Sequence, residues 1–391
     1  MNASFDVVIV GGGVTGAAVG YGLAKRGVKT CLVDAVPTFS RASRANMGLI
    51  WCQSKALGCP QFVRWGFASS RAYGKLAAEL KELSGIDTGY APTGGIIPCL
   101  GEAELEARAQ FIEKLRAETE DGTYPASVLS RKELEGMLPK VPFGPEVSGG
   151  IWSDMDGYVD PLHLMFAFRK SFVRLGGTLF AGERVSEVKP SGKGYTVVCG
   201  GRTLECGKAV LAAGLGVRKL AAQLGTDIPV FPNKSQVMLL ERIPADVLPI
   251  PLLGIARTFG GTVMIGAAHE NMGMDRRLTP EVLAANAQWA VRVWPELERK
   301  RILRFWTGLR VWPKDAYPIY DRIPGHENAF VFAMHSAVSL AAILEQALPD
   351  YVRGKPLPPD GAIFGLSRFA GGCSGFQGSA ASSPHAEAPN K

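Results

Sequence analysis

The chain has 391 residues, of which 47% are hydrophobic and 20% are charged, and its formal net charge is +7. This length exceeds the about 250–300 residues that one hydrophobic core usually serves, so we expect two lobes. The longest apolar stretches end well short of the about 20 residues that a bilayer requires, which argues against a membrane span. The N-terminal apolar segment has no basic region before it, which argues against a signal peptide and for a cytoplasmic location.

The remaining composition argues against nucleic-acid and metal binding. The 43 basic residues are scattered, and the short clusters Arg276-Arg277 and Arg299-Lys300-Arg301 are typical of a solvated surface, so we expect no nucleic-acid partner. The five histidines are too dispersed for a metal site. The seven cysteines form no C-x-x-C pair, and their odd number predicts free, mostly buried thiols.

The most informative segment lies near the start of the chain. Val7 to Val10 form an apolar run typical of a buried parallel strand, and G-x-G-x-x-G follows it at Gly11, Gly13 and Gly16. Such glycines allow a tight turn, close approach of a pyrophosphate and close packing of helix on strand. Asp34 ends the next apolar strand, where an adenosine ribose needs a hydrogen-bond acceptor.

This strand–helix–strand unit predicts a dinucleotide site; the alternative is a purely structural glycine turn. The residues expected to contact the dinucleotide are Gly11, Gly13, Val14, Thr15, Gly16, Asp34 and Ala35.

The rest of the chain alternates between predicted helices and strands. The predicted helices cover residues 15–26, 61–84, 101–118, 161–175, 280–293 and 337–348. The predicted strands cover residues 28–34, 93–97, 178–189, 195–199, 208–213, 230–241, 262–267, 302–308 and 329–334. Gly27 is expected to end the first helix, and Pro280 suits the first turn of its own helix. The last 22 residues are rich in Gly, Ser, Ala and Pro, which predicts a disordered tail.

Several further motifs occur in the order seen in FAD-dependent D-amino-acid, glycine and sarcosine oxidases and dehydrogenases. The loop at residues 43–48 resembles the S-x-x-N-x-G flavin loop of that family, and residues 156–161 resemble its D-G-x-x-D-P turn. Residues 210–214 resemble its second flavin motif, an apolar strand ending in A-x-G. Residues 306–318 resemble W-x-G-x-R-P-x-x-x-D-G-x-P, and the whole resemblance covers residues 5–369.

The resemblance implies an α/β fold with an α+β substrate lobe. A Rossmann-like FAD-binding domain of the glutathione-reductase type would be joined to a second, sheet-containing substrate domain. The FAD-binding domain is expected to comprise residues 1–88, 150–225 and 305–369, and the substrate domain residues 89–149 and 226–304, with 370–391 as the tail.

The resemblance also implies which residues form the site. Besides the dinucleotide residues, the expected FAD contacts are Ser43, Arg44, Ala45, Asn46, Met47, Gly48, Val185, Ala212, Ala213, Gly214, Gly308, Arg310, His335, Ser336, Ala337, Val338 and Ser339. Arg310, at the expected end of a strand, is the candidate clamp for a substrate carboxylate. His335 is expected to contact flavin or substrate, and Met47 to lie over or beside the isoalloxazine. A helix beginning near Val338 would direct its positive end at the flavin pyrimidine.

Each of these assignments has a structural alternative. Arg310 could brace the domain boundary, His335 could be a hydrogen-bonded structural imidazole, and Met47 could serve packing alone. His269-Glu270 has the composition of an acid–base pair, although surface or inter-lobe hydrogen bonding is the favoured interpretation.

Within the family, three segments resemble the β subunits of opine and D-hydroxyproline dehydrogenases in particular. These are Asn46–Gly48 followed by Trp51-Cys52-Gln53, residues 270–277, and residues 335–340. This resemblance implies a separate α subunit and an electron acceptor other than oxygen. It also shows departures from the family, since His335-Ser336-Ala337 lacks the usual glycines and Ala316 replaces another. Some members of the family attach FAD covalently through a cysteine near the arginine motif. No cysteine lies between residues 207 and 372 here, so the resemblance implies noncovalent FAD.

The sequence therefore predicts an enzyme that oxidises the carbon–nitrogen bond of an amino or imino acid by hydride transfer to FAD. The preferred subclass is an opine- or D-hydroxyproline-type dehydrogenase β subunit. One alternative is a stand-alone glycine- or sarcosine-type oxidase that produces hydrogen peroxide, and another is a non-catalytic, flavin-holding subunit.

Overall fold

The structure is a computed structural model that describes residues 3–35, 42–266 and 268–370. The predicted tail, apart from Ala370, lies outside these residues. The helices are α1 (Val14–Lys25), α2 (Pro60–Ser84), α3 (Glu102–Ala117), α4 (Arg131–Met137), α5 (Pro161–Arg174), α6 (Val217–Ala222), α7 (Pro280–Val293), α8 (Ala341–Val352) and α9 (Pro359–Ala362).

The strands are β1 (Ala3–Val10), β2 (Thr30–Asp34), β3 (Leu49–Ile50), β4 (Gly95–Leu100), β5 (Ser127–Ser130), β6 (Val147–Ser153), β7 (Gly157–Tyr158), β8 (Thr178–Ala181), β9 (Val185–Ser191), β10 (Gly194–Cys199), β11 (Arg202–Leu211), β12 (Val230–Arg242), β13 (Ile255–Arg257), β14 (Thr262–Gly266), β15 (Ile302–Pro313), β16 (Ile319–Ile323) and β17 (His326–Ala333).

The largest sheet has the order β16-β17-β11-β1-β2-β8, and β17, β11, β1, β2 and β8 run parallel. The strand β1 is buried on both faces, which explains its unbroken apolar run. Val7 and Ile9 belong to a core with α1, α2, α5 and α8. Val8 and Val10 face the opposite core, which includes residues of β10, β11 and α6. The first strand therefore holds the glycine turn at its carboxyl end between two packed layers.

A second group of sheets lies beside the first. It comprises an antiparallel sheet in the order β13-β14-β12-β15 and a three-stranded sheet in the order β4-β6-β5. Leu252 links the two sheets, because it forms one bridge with Ile96 of β4 and another with Ile255 of β13. The long strands β12 and β15 pair directly along most of their length, so side chains opposite one another share a face of the sheet.

Three predicted elements differ from the structure. The predicted strand 178–189 is two strands, because Gly182 adopts a φ of +87° between them and the second strand turns into an antiparallel extension. The strand predicted at 302–308 continues to Pro313, so Arg310 lies within it rather than at its end. The last long helix begins at Ala341 rather than near Val338, because Ser336 turns the chain with a φ of +66°.

The fold is mixed α/β with a parallel sheet, as predicted. By hydrogen bonding, β15 belongs to the second group of sheets, although the sequence placed residues 305–313 with the FAD-binding domain. The division of the chain into two discontinuous domains stays a prediction. Within the described ranges, no helix combines the length and the apolar character needed to cross a membrane.

Candidate active site

A cleft of about 1300 Å³ runs from the carboxyl ends of the parallel strands to the face shared by β12 and β15. It exceeds the about 300–1,000 Å³ typical of small-molecule pockets, which suits a large cofactor together with a substrate. Of the residues that the sequence predicted for the site, all line this cleft except Gly16 and Gly48. The predicted residues are therefore brought together, and these two glycines need another explanation.

Gly11 and Gly16 shape the turn at the cleft's inner end. Gly11 has a φ of +106°, and a Cβ there would lie 2.5 Å from the Ala212 carbonyl oxygen. A Cβ on Gly16 would lie 1.8 Å from the Gly11 carbonyl oxygen, so Gly16 acts through packing and does not reach the cleft. The helix α1 that follows has no acidic residue in its first turn, so its positive end is left for an anion.

Asp34 is engaged by the glycine turn itself. Its Oδ2 accepts a hydrogen bond of 2.5 Å from the backbone N–H of Gly12 and pairs at 2.9 Å with a guanidinium nitrogen of Arg169. Arg169 Nε also donates to the Gly12 carbonyl oxygen at 3.0 Å. This buried pair fixes the turn, and sequence reasoning missed Arg169 because it lies on α5, far along the chain. Asp34 also lines the cleft, where its contact with a ribose stays a prediction.

Contacts within the loop at residues 43–48 and with its neighbours explain the residue types of its motif. Ser43 Oγ accepts a 3.0 Å hydrogen bond from the backbone N–H of Val14 at the start of α1. Asn46 Oδ1 accepts from the Gly48 N–H at 2.8 Å, which closes the loop on itself. Gly48 has a φ of +74°, and a Cβ there would lie 2.1 Å from the Val159 carbonyl oxygen. The serine, asparagine and glycine of the motif therefore hold the loop against α1 and the 156–161 turn.

The second group of sheets packs closely against this loop. A Cβ on Gly308 would lie 2.5 Å from the Ala45 Cβ, which explains a glycine in the W-x-G-x-R motif. Met47 lines the cleft and packs in an apolar cluster with Val237 and Met264. Both interpretations of Met47 are thus compatible with its position, and its contact with the isoalloxazine stays a prediction.

Arg310 is half-buried and has no carboxylate partner among the described residues. It is paired in register with Asn233 across β12 and β15. Its guanidinium donates to Asn233 Oδ1 at 2.9 Å, to the Ala268 carbonyl oxygen at 2.7 Å and to Ser235 Oγ at 2.8 Å, and lies 3.4 Å from His269 Nδ1. Within the described part of the chain no carboxylate lies within 4.0 Å of it. Burial lowers its pKa to about 10.

Three neutral oxygen acceptors, on Asn233, Ser235 and Ala268, thus orient a cation whose charge is not neutralised, and this arrangement suits an incoming anion. Sequence reasoning missed the partners Asn233 and Ser235. The available signal was their placement two positions apart in a predicted strand, which puts both side chains on one face of the sheet.

Two histidines line the cleft beside Arg310. Burial, aided by the charge of Arg310, lowers the pKa of His269 to about 3. Burial, with the charges of Arg310 and Lys55 and the neighbouring His269, also holds the pKa of His335 well below its ordinary value. Trp312 contacts both rings, at centroid distances of 5.3 Å to His269 and 4.6 Å to His335. Both imidazoles are therefore neutral near neutral pH.

Glu270 does not act together with His269. Its side chain points away into a buried network, where it pairs with Lys234 at 3.1 Å and accepts from Thr279 Oγ1 at 2.7 Å and Gln236 Nε2 at 2.8 Å. The acid–base pair considered from the sequence is therefore not formed. Of the favoured alternative, surface or inter-lobe hydrogen bonding, the surface position is wrong for Glu270, which is 3% exposed.

Two residues that replace glycines of the family near the end of the chain adopt a backbone conformation that favours glycine. Ser336 has a φ of +66° and Ala316 a φ of +65°, a region that favours glycine. The turn at 335–340 is closed by the Leu340 N–H donating to the Ser336 carbonyl oxygen at 3.1 Å. Because this turn precedes α8, the helix does not begin at Val338 as expected, and its N-terminus lies further along the chain.

Asp156, which begins the D-G-x-x-D-P turn, holds the segment after β3. Its Oδ1 accepts from the backbone N–H groups of Cys52 at 2.6 Å and Gln53 at 3.2 Å, and its Oδ2 accepts from Gln53 Nε2 at 2.7 Å. Burial outweighs these hydrogen bonds and raises its pKa to about 7. Asp160, at the other end of the motif, caps α5 by accepting from the N–H groups of its first turn.

Asp156→Asn is expected to change how stability depends on pH. Because the pKa of Asp156 is raised above the about 3.9 of an unfolded aspartate, the folded state keeps a proton that the unfolded state loses. Stability therefore falls by at most about 4 kcal/mol from this group as pH rises from about 4 to about 7. Asparagine does not titrate, so the wild type should lose stability relative to the variant on going from about pH 5 to about pH 8. Urea unfolding at both pH values measures this; a difference independent of pH would contradict it.

The described cysteines are distant from the chemistry. Cys31, Cys52, Cys59, Cys99, Cys199 and Cys206 are buried and free, as predicted for them, and none of these six lines the cleft. Cys373 lies outside the described residues. Among the described residues, no group of three or more His, Cys, Asp and Glu side chains could hold a metal ion.

Comparison with known proteins identifies the relatives of this chain. It is 33% identical over 365 residues to one of the subunits of opine oxidase from Agrobacterium tumefaciens (strain Ach5), covering 93% of this chain and 97% of that protein. It is 27% identical over 378 residues to glycine oxidase of Geobacillus kaustophilus (strain HTA426), covering 95% and 99%. The crystal structure of glycine oxidase from Geobacillus kaustophilus superposes with a TM-score of 0.86 at 27% identity, covering 94% and 99%.

The residues that line the inner end of the cleft fit FAD, the cofactor implied by the resemblance to D-amino-acid, glycine and sarcosine oxidases. The glycine turn leaves no room for a Cβ beside the Ala212 carbonyl, the first turn of α1 has no acidic residue, and Asp34 lines the same end of the cleft. Residues 6–344 match the family of FAD-dependent oxidoreductases designated DAO. The chain therefore belongs to the DAO family of FAD-dependent oxidoreductases, and its cofactor is FAD.

Proposed function

We propose that this enzyme oxidises the carbon–nitrogen bond of an amino or imino acid, and that it is an opine- or D-hydroxyproline-type dehydrogenase. The observation that carries this proposal is Arg310, a half-buried guanidinium without a counterion among the described residues that lies in the same cleft as the cofactor residues. A guanidinium held in this way can bind the α-carboxylate of a substrate through two parallel hydrogen bonds.

FAD, when bound, accepts two electrons from the substrate's α-carbon as a hydride. The protein's part is to place that carbon and to keep the substrate amine neutral. Arg310 fixes the carboxylate, so the rest of the substrate can turn only about that anchor. The neutral imidazoles of His269 and His335 add no positive charge that would repel an amine or favour its protonated form. The resulting imine is hydrolysed by water to an oxo acid and an amine.

We further propose that the protein works beside a partner subunit. One relative is a subunit of an opine oxidase, which supports a heteromeric arrangement. Large apolar side chains are exposed at Met272, Met274, Leu303 and Phe305, and Met274 also lines the cleft. Thr307 Oγ1 donates to the Arg276 carbonyl oxygen at 2.8 Å, which places the segment with the two methionines against β15. Exposed apolar patches of this kind are typical of protein interfaces. The cytoplasmic location stays a prediction.

The resemblance to glycine oxidase supports the second candidate, a stand-alone oxidase that produces hydrogen peroxide. The non-catalytic alternative rested on the missing glycines at residues 335–337. Because Ser336 adopts the left-handed conformation without glycine, this argument loses its force.

Anaerobic reduction of the purified holoenzyme tests the proposal. D-amino acids, D-hydroxyproline, sarcosine and opines are added in turn, and loss of flavin absorbance near its visible maximum is followed. We expect at least one of these compounds to bleach the flavin, while matched 2-hydroxy acids do not. Slow reoxidation when air is admitted, with fast reoxidation by an artificial acceptor, indicates a dehydrogenase; immediate reoxidation with peroxide indicates the oxidase. If no compound bleaches the flavin, the proposal is wrong.

A further inference from the structure

A second positive charge, Lys55, lines the cleft in which Arg310 lies. Sequence reasoning did not select it. Its Nζ donates to the Trp51 carbonyl oxygen at 3.0 Å, which uses one of its three N–H donors. In the described ranges no carboxylate lies within 4.0 Å of Nζ. The charge of Arg310 is close enough to contribute to lowering the pKa of Lys55, although burial is the larger cause.

The segment that carries Lys55 is held from several sides. The Trp51 N–H donates to Ser339 Oγ at 3.0 Å, the Cys52 N–H to Asp156 Oδ1 at 2.6 Å, and the Ser54 N–H to the Tyr124 hydroxyl at 3.0 Å. These acceptors come from three separate parts of the chain. The backbone is therefore fixed before any ligand binds.

The two residues beside Lys55 adopt a costly backbone conformation. Ser54 has a φ of +54° and Ala56 a φ of +64°, although neither is a glycine. Such conformations cost about 1–3 kcal/mol each, persist only where the surroundings enforce them, and cluster at active sites. Here the strain and the hydrogen bonds together fix the residue between them, which is Lys55.

The carboxylates that line the cleft are engaged elsewhere. Asp34 pairs with Arg169, Glu183 pairs with Arg202 at 3.0 Å, and Asp160 caps α5. Asp156 lies behind Lys55, but its oxygens accept from the N–H groups of the 52–53 segment. Arg310 and Lys55 therefore both line the cleft, and among the described residues neither has a direct carboxylate partner.

We propose that Lys55 binds a second acidic group of the substrate, so that the enzyme acts on secondary amines that carry two carboxylates, one held by Arg310 and the other by Lys55. This inference rests on the proposed function and narrows it, since it favours an opine-like diacid over D-hydroxyproline, sarcosine or glycine. Lys55 is thereby a specificity-determining residue.

Ligand binding tests the role of Lys55 independently of turnover. The holoenzyme is titrated with succinate, glutarate and adipate and with the matched monocarboxylates butyrate, valerate and caproate, and the shift of the flavin spectrum gives each Kd. We expect one diacid to bind about 10- to 100-fold more tightly than its monocarboxylate, because a charge-assisted hydrogen bond contributes that much. Lys55→Met should remove this preference by weakening diacid binding about 10- to 100-fold more than monocarboxylate binding, whereas Lys55→Arg should retain part of the preference.

Substrate reduction gives a second measurement. Iminodiacetate and N-ethylglycine differ mainly in one carboxylate, so Lys55→Met should lower kcat/KM for the first about 10- to 100-fold more than for the second. Lys75→Met, which removes an exposed charge on α2 with 82% of its side chain accessible, is the matched control. A wild type without diacid preference, or a preference that survives in Lys55→Met, would overturn the inference. If no amine bleaches the flavin, the proposed function fails, while the titration still decides the role of Lys55.

Discussion

Replacing Arg310 with methionine is expected to lower kcat/KM for the best amino or imino acid by at least about 100-fold, since loss of a buried charged partner typically costs this much. The variant should retain FAD. We expect kcat/KM to fall because the guanidinium, which Asn233 and Ser235 hold in position between β12 and β15, supplies the positive charge that binds the substrate carboxylate. Anaerobic stopped-flow reduction, with the apparent Kd for substrate, measures the effect. The kcat/KM of Arg310→Lys should lie between those of the wild type and Arg310→Met, because an ammonium keeps the charge but lacks the planar arrangement of N–H donors of a guanidinium.

Stability distinguishes this role from that of a bracing arginine. A half-buried cation without a counterion is unfavourable, so Arg310→Met should leave the free energy of unfolding of the substrate-free protein unchanged or raised. If Arg310 only bound the domains together, the variant would unfold more easily while substrate saturation stayed as in the wild type. That pair of results would remove Arg310 from the carboxylate site.

Gly16→Ala is expected to abolish tight FAD binding. A Cβ at this position would lie 1.8 Å from the Gly11 carbonyl oxygen. The backbone of α1 fixes the Cβ and the backbone of the turn fixes the oxygen, so the two cannot separate without opening the turn. Opening it would displace Gly11 and the start of α1, where the pyrophosphate is expected. The purified variant should lose flavin on desalting, and titration with FAD should show a Kd raised by about 10- to 100-fold or more, by analogy with overpacking penalties of about 1–3 kcal/mol or more.

The matched control is Gly136→Ala. Gly136 lies in α4, a Cβ there would meet nothing within 4 Å, and alanine favours a helix. This variant should keep its full flavin content and gain slightly in stability. A yellow Gly16→Ala protein with unchanged FAD affinity would show that the third glycine of the motif is dispensable.

Much of the cofactor site could be predicted because its pattern is local. The strand, the glycine turn, the helix and the acid at Asp34 lie within about thirty residues, so spacing alone encodes their arrangement. The loop at 43–48 was recognised from its motif, and the structure supplies the reason, since Ser43 and Gly48 hold it in place. The turn at Ser336 could not be predicted in this way. Serine has no intrinsic preference for a positive φ, and its surroundings impose this conformation here.

The sequence by itself thus determined the fold class, the FAD site and Arg310 as the candidate for the substrate carboxylate. Only the tertiary structure decided what surrounds that arginine and which other charge shares its cleft. Asn233 meets Arg310 through the register of two antiparallel strands 77 positions apart, and Asp156 holds the segment before Lys55 from 104 positions away. Such contacts depend on how sheets pair and pack, and no local pattern of residue types encodes them.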